Sequence, residues 1–205
     1  MLNLAILASG RGSNMVALIE AIRDRNLPVN LVMVVSDQSN ALCLQKANEL
    51  NVPAYTFLPE HYPQRTQYDQ ALAEFLKAKG VDTVCLAGFM RLLGSNFVKA
   101  FPERILNIHP SLLPAFPGLH AQKQAIEYGV KISGCTVHFV DEGLDSGPII
   151  MQKAVPVYDS DTVDSLSERI LQKEHEIYPL ALELLAKNRL KIDGRKVVIL
   201  EENKD

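Results

Sequence analysis

Residues 2–14 read LNLAILASGRGSN, and this stretch decides the fold expected for the rest of the chain. The apolar run Leu2–Ala8 has the length of one buried strand and is too short to span a membrane. A glycine-containing turn, Ser9–Asn14, follows the run, and apolar residues then recur at three-residue steps from Val16. The stretch therefore predicts a strand, a loop and a helix, which form the first half of a strand-helix-strand unit.

The composition of the whole chain favours a small-molecule function. The 205 residues carry a formal net charge of −3, and neither half is basic, so nucleic acid and an anionic membrane are not expected as partners. Cys43, Cys85 and Cys135 are odd in number and lie in apolar runs, which is typical of buried thiols in a reducing compartment. The first residues lack the basic segment of a secretory leader. We therefore expect a cytoplasmic protein.

Strand-like runs alternate with stretches of helical period, which predicts an α/β fold with a doubly wound, mostly parallel sheet. Two alternating runs in the second half predict an antiparallel edge. The predicted strands are Leu2–Ala8, Val29–Ser36, Ala54–Phe57, Val81–Ala87, Arg104–Asn107, Ser133–Val140 and Ile149–Val157. The predicted helices are Met15–Arg25, Ala41–Leu50, Gln67–Lys79, His120–Tyr128 and Val163–Lys187, the last capped by Asp161 or Thr162 and followed by a hairpin around Asp193-Gly194.

The loop of residues 9–14 is the first candidate site. Glycines allow the backbone to approach a ligand, and the N–H groups and dipole of a helix N-terminus favour an anion. The loop lacks both the glycine spacing of dinucleotide sites and the lysine of nucleoside-triphosphate sites, so a monophosphate is the expected ligand. A helix cap by Ser13 or Asn14 is the alternative.

Asn107, His109 and Asp145 form the second candidate site. Residues two apart on a strand share a face, so Asn107 and His109 can address one ligand atom. An amide donor beside a protonated imidazole suits an oxyanion. Asp145 lies in the acidic loop 141–148, where its charge would stabilise the protonated ring and hold its orientation. A structural asparagine and a histidine bonded to backbone are the alternative.

Several motifs extend these clusters along the chain. They are GRGSN at 10–14, LAGFMR at 86–91, NIHPSLLP at 107–114, PGLH at 117–120, VHFV at 137–140, DSGP at 145–148 and EHEIYP at 174–179. In this order the chain resembles, from end to end, the phosphoribosylglycinamide formyltransferase family. Much of the set also occurs in other enzymes that use 10-formyltetrahydrofolate, and the N-terminal phosphate loop favours the glycinamide ribonucleotide enzymes.

The resemblance implies one formyltransferase (Rossmann-like) domain over residues 1–205. Its nucleotide-phosphate-binding half would be about 1–100, and its folate-binding and catalytic half about 101–205. The implied ribonucleotide-binding residues are Gly12, Ser13, Asn14 and Glu174. The implied folate-binding residues are Arg65, in the loop after Pro63, and Met90, Arg91, Leu92, Leu93, Asn107, Val140, Asp141, Glu142, Gly143 and Leu144. A cis peptide bond at Leu113-Pro114 would explain a rigid loop there.

The expected reaction is direct transfer of a formyl group from 10-formyltetrahydrofolate, the co-substrate, to the amine of glycinamide ribonucleotide. No metal is needed, and a monomer or homodimer is expected. Hydrolysis of 10-formyltetrahydrofolate and a non-catalytic nucleotide-binding module are the alternatives. A transferase acting on initiator tRNA is disfavoured by the acidic composition and by the lack of a basic domain.

Overall fold

The computed structural model describes residues 1–201, and two compact units divide the chain. The first unit is Met1–Asn107, and the second begins at Ile108. One strand, Ile105–His109, runs across this boundary. Strands are parallel in the first unit, and antiparallel pairs occur in the second, so the predicted α/β fold with a mixed sheet is confirmed.

The first unit is a parallel sheet with intervening helices. Its elements are β1 (Leu2–Leu7), α1 (Ser13–Asp24), β2 (Val29–Ser36), α2 (Leu42–Glu49), β3 (Ala54–Thr56), a 3₁₀ turn (Pro59–His61), α3 (Arg65–Ala78), β4 (Thr83–Leu86), α4 (Ser95–Ala100) and β5 (Ile105–His109). The strands are hydrogen-bonded in the order β3-β2-β1-β4-β5. In such sheets, ligands bind at the carboxyl ends of the strands, which here precede the loops after β1 and β4.

Strands β1 and β4 are the most buried part of this unit. Leu4, Ile6 and Leu7 of β1 are fully buried, as are Val84 and Cys85 of β4. Burying one such aliphatic side chain contributes roughly 1.5–3 kcal/mol to stability. The continuous apolar runs therefore fix both strands firmly, and the loops that follow them start from fixed positions.

The second unit combines an antiparallel pair, a hairpin and a long helix. Its elements are α5 (Ala121–Tyr128), β6 (Ile132–Phe139), β7 (Ile149–Pro156), α6 (Val163–Ala186), β8 (Leu190–Asp193) and β9 (Lys196–Ile199). Thr136 of β6 lies opposite Gln152 of β7, and the hairpin joins β7 through β9. Helix α6 packs against β6 and β7. Among residues 1–201, none of the helices is long and apolar enough to cross a membrane.

The start of α6 is fixed by a polar cluster. Thr162 is the N-cap, as predicted, and Ser165 completes a capping box. The Asp161 carboxylate accepts hydrogen bonds from Arg169 at 2.7 and 2.8 Å, from Ser165 at 2.7 Å and from the backbone N–H of Tyr158 at 2.8 Å. These bonds hold the pKa of Asp161 well below its usual range, chiefly through the Arg169 guanidinium.

We expect Asp161→Asn to lower the melting temperature at pH 7, because an amide nitrogen cannot accept these bonds. A depressed folded-state pKa means that the carboxylate stabilises the fold above its unfolded pKa of about 3.9. That contribution is lost as the pH falls through the folded-state pKa. The difference in melting temperature between variant and parent should therefore shrink below about pH 4. Thermal unfolding at a series of pH values from 7 to 3 measures this difference. Asp159→Asn, at an exposed surface pair with Lys131, is the control and should change little.

Several elements differ from their predicted extents. Helix α3 begins at Arg65, two residues before the predicted Gln67, so Arg65 lies in a helix rather than in a loop. The first turn of α3 carries no buried residue, and the apolar pattern therefore starts later than the helix. Helix α4 was not predicted because six residues give too little of a helical period. The hairpin turn is Gly194-Arg195, since Asp193 still pairs with Lys196.

Candidate active site

The loop between β1 and α1 needs glycine at one position for two reasons. Gly12 has φ +70°, and a Cβ there would lie 2.7 Å from the Cβ of Cys43. A side chain is therefore excluded both by backbone conformation and by space. The backbone N–H of Cys43 also donates to the carbonyl of Gly10 at 3.0 Å. These contacts hold the loop in one shape against the start of α2.

The helix-cap interpretation of this loop is wrong. Gly12 is the N-cap of α1, and no side chain caps the helix. Ser13 is the first helical residue and is half-buried, Asn14 is buried, and Arg11 is exposed. The N–H groups and dipole at the start of this 12-residue helix favour an anion. The loop therefore suits the predicted phosphate.

The segment after β4 contains four predicted folate-binding residues. The backbone N–H of Met90 donates to Ser9 Oγ at 2.9 Å, which ties this segment to the phosphate loop. Met90 and Leu92 expose 68% and 51% of their surface, which leaves both side chains accessible to an apolar ligand. Leu93 is buried, so only its backbone is available to a ligand.

Two arginines of the first unit were predicted to meet folate. Arg91 lies over the ring of Tyr68, with its Cζ 4.8 Å from the ring centroid. Arg65 places its Nε 3.6 Å from Asp69 Oδ2, and its side chain is half-exposed. The same oxygen of Asp69 also accepts the backbone N–H of Gly94 at 2.8 Å. A guanidinium has five N–H donors, so Arg65 can still bind an anionic group.

Asn107 and His109 lie on β5 with Ile108 between them. Strand β5 continues through His109, two residues beyond the predicted end, so the two polar residues share one face of the strand. Asn107 is half-buried and pairs with Leu86 of β4, and His109 is 5% exposed. The predicted geometry of these two side chains therefore follows from the strand itself.

The ring of His109 is oriented by a backbone carbonyl. Its Nε2 lies 2.8 Å from the carbonyl oxygen of Phe116, and a carbonyl can only accept, so Nε2 carries a hydrogen. Phe116 has φ +53°, a backbone conformation that aromatic residues rarely adopt and that is often found at functional sites. Sequence reasoning missed Phe116, because its contribution is a backbone atom.

Asp145 faces the other nitrogen of the same ring. Its Oδ2 lies 3.4 Å from His109 Nδ1 and accepts the backbone N–H of Gly118 at 2.8 Å. The predicted contact is therefore present. The bond to Phe116, which was not predicted, fixes the other side of the same ring.

The two ring nitrogens of His109 have different partners. Nε2 donates to a carbonyl oxygen, and Nδ1 faces a carboxylate. An N–H at Nδ1, next to that carboxylate, is the kind of donor that an oxyanion needs.

A second histidine approaches Asp145 and was not predicted as a site residue. His138 is 2% exposed, bonds the carbonyl of Phe139 through Nδ1 at 2.8 Å, and places Nε2 3.8 Å from Asp145 Oδ1. Burial lowers the pKa of His138, although the bond to Phe139 and the charge of Asp145 oppose this. In the sequence, His138 is marked by its place in the VHFV motif and by being a polar residue in an apolar strand. Residues 1–201 contain no group of three or more His, Cys, Asp or Glu placed to hold a metal ion.

The loop 140–148 is built around Asp141. Its Oδ1 accepts the backbone N–H of Gly143 at 3.0 Å and the hydroxyl of Ser146 at 2.7 Å. A Cβ at Gly143 would lie 2.1 Å from Ser146 Oγ, so a side chain there would displace this hydroxyl from Asp141. The Asp141 side chain therefore stabilises the turn. The other predicted folate-binding side chains here are half-buried at Val140 and exposed at Glu142 and Leu144.

Glu174 lies on α6 and is 7% exposed. Its charge acts on Cys135 of β6: burial, followed by the charge of Glu174, raises the pKa of that thiol to about 12. Glu174 is thus directed into the second unit, next to β6. A carboxylate accepts hydrogen bonds from hydroxyl groups, and such charge-assisted bonds are stronger than neutral ones.

The fold and these residues define a group-transfer enzyme, and the chain belongs to the formyl transferase family, whose model matches residues 2–182. Phosphoribosylglycinamide formyltransferase of Bacillus subtilis is 40% identical over 185 residues, which cover 90% of this chain and 95% of that protein. The crystal structure of glycinamide ribonucleotide transformylase 1 from Symbiobacterium toebii has a TM-score of 0.96 and 54% identity, covering 98% of this chain and 95% of that one.

A longer relative contains a similar stretch. The trifunctional purine biosynthetic protein adenosine-3 of Drosophila melanogaster is 50% identical over 183 residues, or 88% of this chain. The chain spans only 14% of that protein's length. The family uses a formyl-folate as co-substrate.

Proposed function

We propose that this chain transfers the formyl group of 10-formyltetrahydrofolate to the amine of glycinamide ribonucleotide, giving the N-formyl product and tetrahydrofolate. It is a phosphoribosylglycinamide formyltransferase of purine biosynthesis. The observation that carries the proposal is the ring of His109, fixed by Phe116 on one side and 3.4 Å from Asp145 on the other. Relatives with this name match almost the whole chain at 40% identity.

The chemistry follows from three side chains. The lone pair of the substrate amine forms a bond to the formyl carbon, and negative charge develops on the formyl oxygen. Asn107 donates to that oxygen, and the Nδ1–H of His109 is shared between the Asp145 carboxylate and that oxygen, each donor lowering the barrier by about 3 kcal/mol. Asp145 stabilises the imidazolium. The bond from carbon to the folate nitrogen then breaks, and a water carries the proton from the amine to that nitrogen.

The predicted folate-binding residues match the heterocycle and the carboxylates of folate in chemical character. Met90 and Leu92 of the first unit and Leu144 of the second expose apolar side chains that can contact a flat heterocycle. Backbone groups near them supply hydrogen bonds to its polar edge. Arg65 and Arg91 carry guanidinium groups, which bind carboxylates such as those of the folate tail.

The ribonucleotide is assigned to two sets of residues. Gly12, Ser13 and Asn14 bind its phosphate at the start of α1, and Glu174 binds its hydroxyl groups. The proposal gives no role to a metal. A cytoplasmic location and a monomer or homodimer as the active form belong to the same proposal.

The test is to incubate the purified protein with both substrates, and with each alone, while following the folate absorbance. A change that requires both substrates supports the proposal. Steady formate release from the folate alone indicates a hydrolase. Ribonucleotide binding by calorimetry without formyl transfer indicates a non-catalytic binding module.

We expect Ser13→Ala to raise the KM for glycinamide ribonucleotide about tenfold to a hundredfold, since a hydrogen bond to a charged group contributes about 1.5–3 kcal/mol. Asn14→Ala should act in the same direction. The KM for the folate and kcat should change little, because neither residue contacts the reacting carbon in this proposal. Asn96→Ala, at an exposed position of α4, is the control. A fall in kcat with an unchanged KM for the ribonucleotide would contradict the phosphate assignment.

A further inference from the structure

The loop between β5 and α5 holds both catalytic side chains through its backbone. The carbonyl of Phe116 accepts from His109, and the N–H of Gly118 donates to Asp145. Neither contact involves a side chain of the loop. The direction of the His109 ring and the position of the Asp145 carboxylate therefore depend on where this stretch of backbone lies.

One buried hydroxyl fixes the first part of this loop. Thr136 Oγ1 donates to the carbonyl of Ser111 at 2.7 Å and accepts the N–H of Leu113 at 3.0 Å. It also accepts from Nε2 of Gln152 at 3.0 Å. A hydroxyl offers one donor and two acceptor sites, so every site of Thr136 is used. Thr136 has no exposed surface.

Gln152 completes the attachment from the next strand. It lies opposite Thr136 in the β6–β7 pair, and its Nε2 also donates to the carbonyl of Leu113 at 2.9 Å. Both backbone groups of Leu113 are thus bonded to side chains of the sheet. Ser111 Oγ donates to the carbonyl of Ala115 at 2.5 Å. The hydrogen bonds that begin at Thr136 and Gln152 thus extend to the residue before Phe116.

We propose that Thr136, supported by Gln152, is a positioning residue for the catalytic pair His109 and Asp145. It contacts neither of them and acts through the loop backbone, by fixing the positions of the Phe116 carbonyl and the Gly118 N–H. The inference rests on the proposed function, because it assigns the effect to the transfer step. Thr136 and Gln152 thereby set the direction in which the Nδ1–H of His109 points.

Thr136→Val is the primary test because valine has nearly the same shape and lacks the hydroxyl. A displacement of about 1 Å at a catalytic group can cost a hundredfold in rate, so we expect kcat to fall about tenfold to a hundredfold. The KM for the ribonucleotide should stay close to that of the parent. Thr136→Ser restores the hydroxyl and should recover most of kcat.

A matched control separates positioning from the loss of one buried hydroxyl. Thr83 is also fully buried on a strand, and its Oγ1 donates to Asp82 at 2.6 Å. Thr83→Val should lower the melting temperature while leaving kcat close to that of the parent. If Thr136→Val does not fold, Gln152→Met takes its place, since Gln152 lies at an exposed position.

A second readout does not depend on activity. In the parent, the Nε2–H of His109 is bonded to Phe116, so its proton should give a slowly exchanging signal in ¹⁵N-histidine NMR spectra. In Thr136→Val this signal should broaden or exchange faster, while Thr83→Val should keep it. This comparison remains informative even if the parent protein transfers no formyl group, a result that would refute only the proposed function.

The positioning role is supported if kcat falls in Thr136→Val or Gln152→Met without a matching rise in KM, if Thr136→Ser recovers it, and if the His109 signal changes. It is overturned if kcat in Thr136→Val stays close to that of Thr83→Val at comparable stability. An unchanged His109 signal in both Thr136→Val and Gln152→Met also overturns it.

Discussion

His109→Ala is expected to lower kcat about a hundredfold to a thousandfold, which is the usual cost of removing one oxyanion donor. The variant loses the N–H donor at Nδ1 and the only positive charge assigned to the reacting oxygen. Binding of the ribonucleotide phosphate should persist, because its proposed site is the loop before α1. Steady-state kinetics with both substrates varied gives kcat and the two KM values, and the melting temperature is measured alongside.

The same substitution tests the structural interpretation of this histidine. His109 is buried and bonded to the carbonyl of Phe116, so its removal leaves that carbonyl without this donor, at a cost of about 1–3 kcal/mol. His109→Gln, which can still donate to Phe116, should recover stability more than activity. His61→Ala, at an exposed histidine, is the control. A fall in melting temperature with no separate loss of kcat would mean that His109 is structural.

The sequence predicted those parts of the fold that depend on long apolar patterns. Strand β2 was predicted with the bounds that the structure gives, and β1 to within one residue, because a buried parallel strand is a continuous apolar run. Short helix α4 and the first turn of α3 were missed, because neither carries a full apolar stripe. The placement of Arg65 in a loop was wrong for this reason.

The candidate site also has parts that could be predicted from the sequence and parts that could not. Asn107 and His109 were predicted to share a face because strand geometry imposes it, and Asp145 was predicted to meet His109 because their chemistry is complementary. The carbonyl of Phe116 has no signature in the sequence, since every residue has a carbonyl and only the left-handed backbone at Phe116 directs it. The approach of His138 to Asp145 also depends on tertiary packing rather than on spacing.

Asp145→Asn is expected to lower kcat about a hundredfold or more, by removing charge while keeping shape. The backbone N–H of Gly118 donates to Oδ2, so the amide oxygen of the variant must occupy that place and still face His109 Nδ1. The geometry is therefore preserved, and only the stabilisation of the imidazolium is lost. Asp159→Asn is the control, because that exposed carboxylate pairs with Lys131 and lies outside the site.

A second measurement shows whether the loss of the Asp145 charge causes the fall in kcat. Asp145 raises the pKa of His138 against the lowering effect of burial, so the same variant should lower the pKa of His138 further. ¹⁵N NMR titration of the histidines measures the direction. If kcat falls while the pKa of His138 does not move, the variant has displaced the loop, and the loss cannot be assigned to charge. If kcat is unchanged while that pKa falls, the imidazolium of His109 does not depend on Asp145 and the proposed mechanism is wrong.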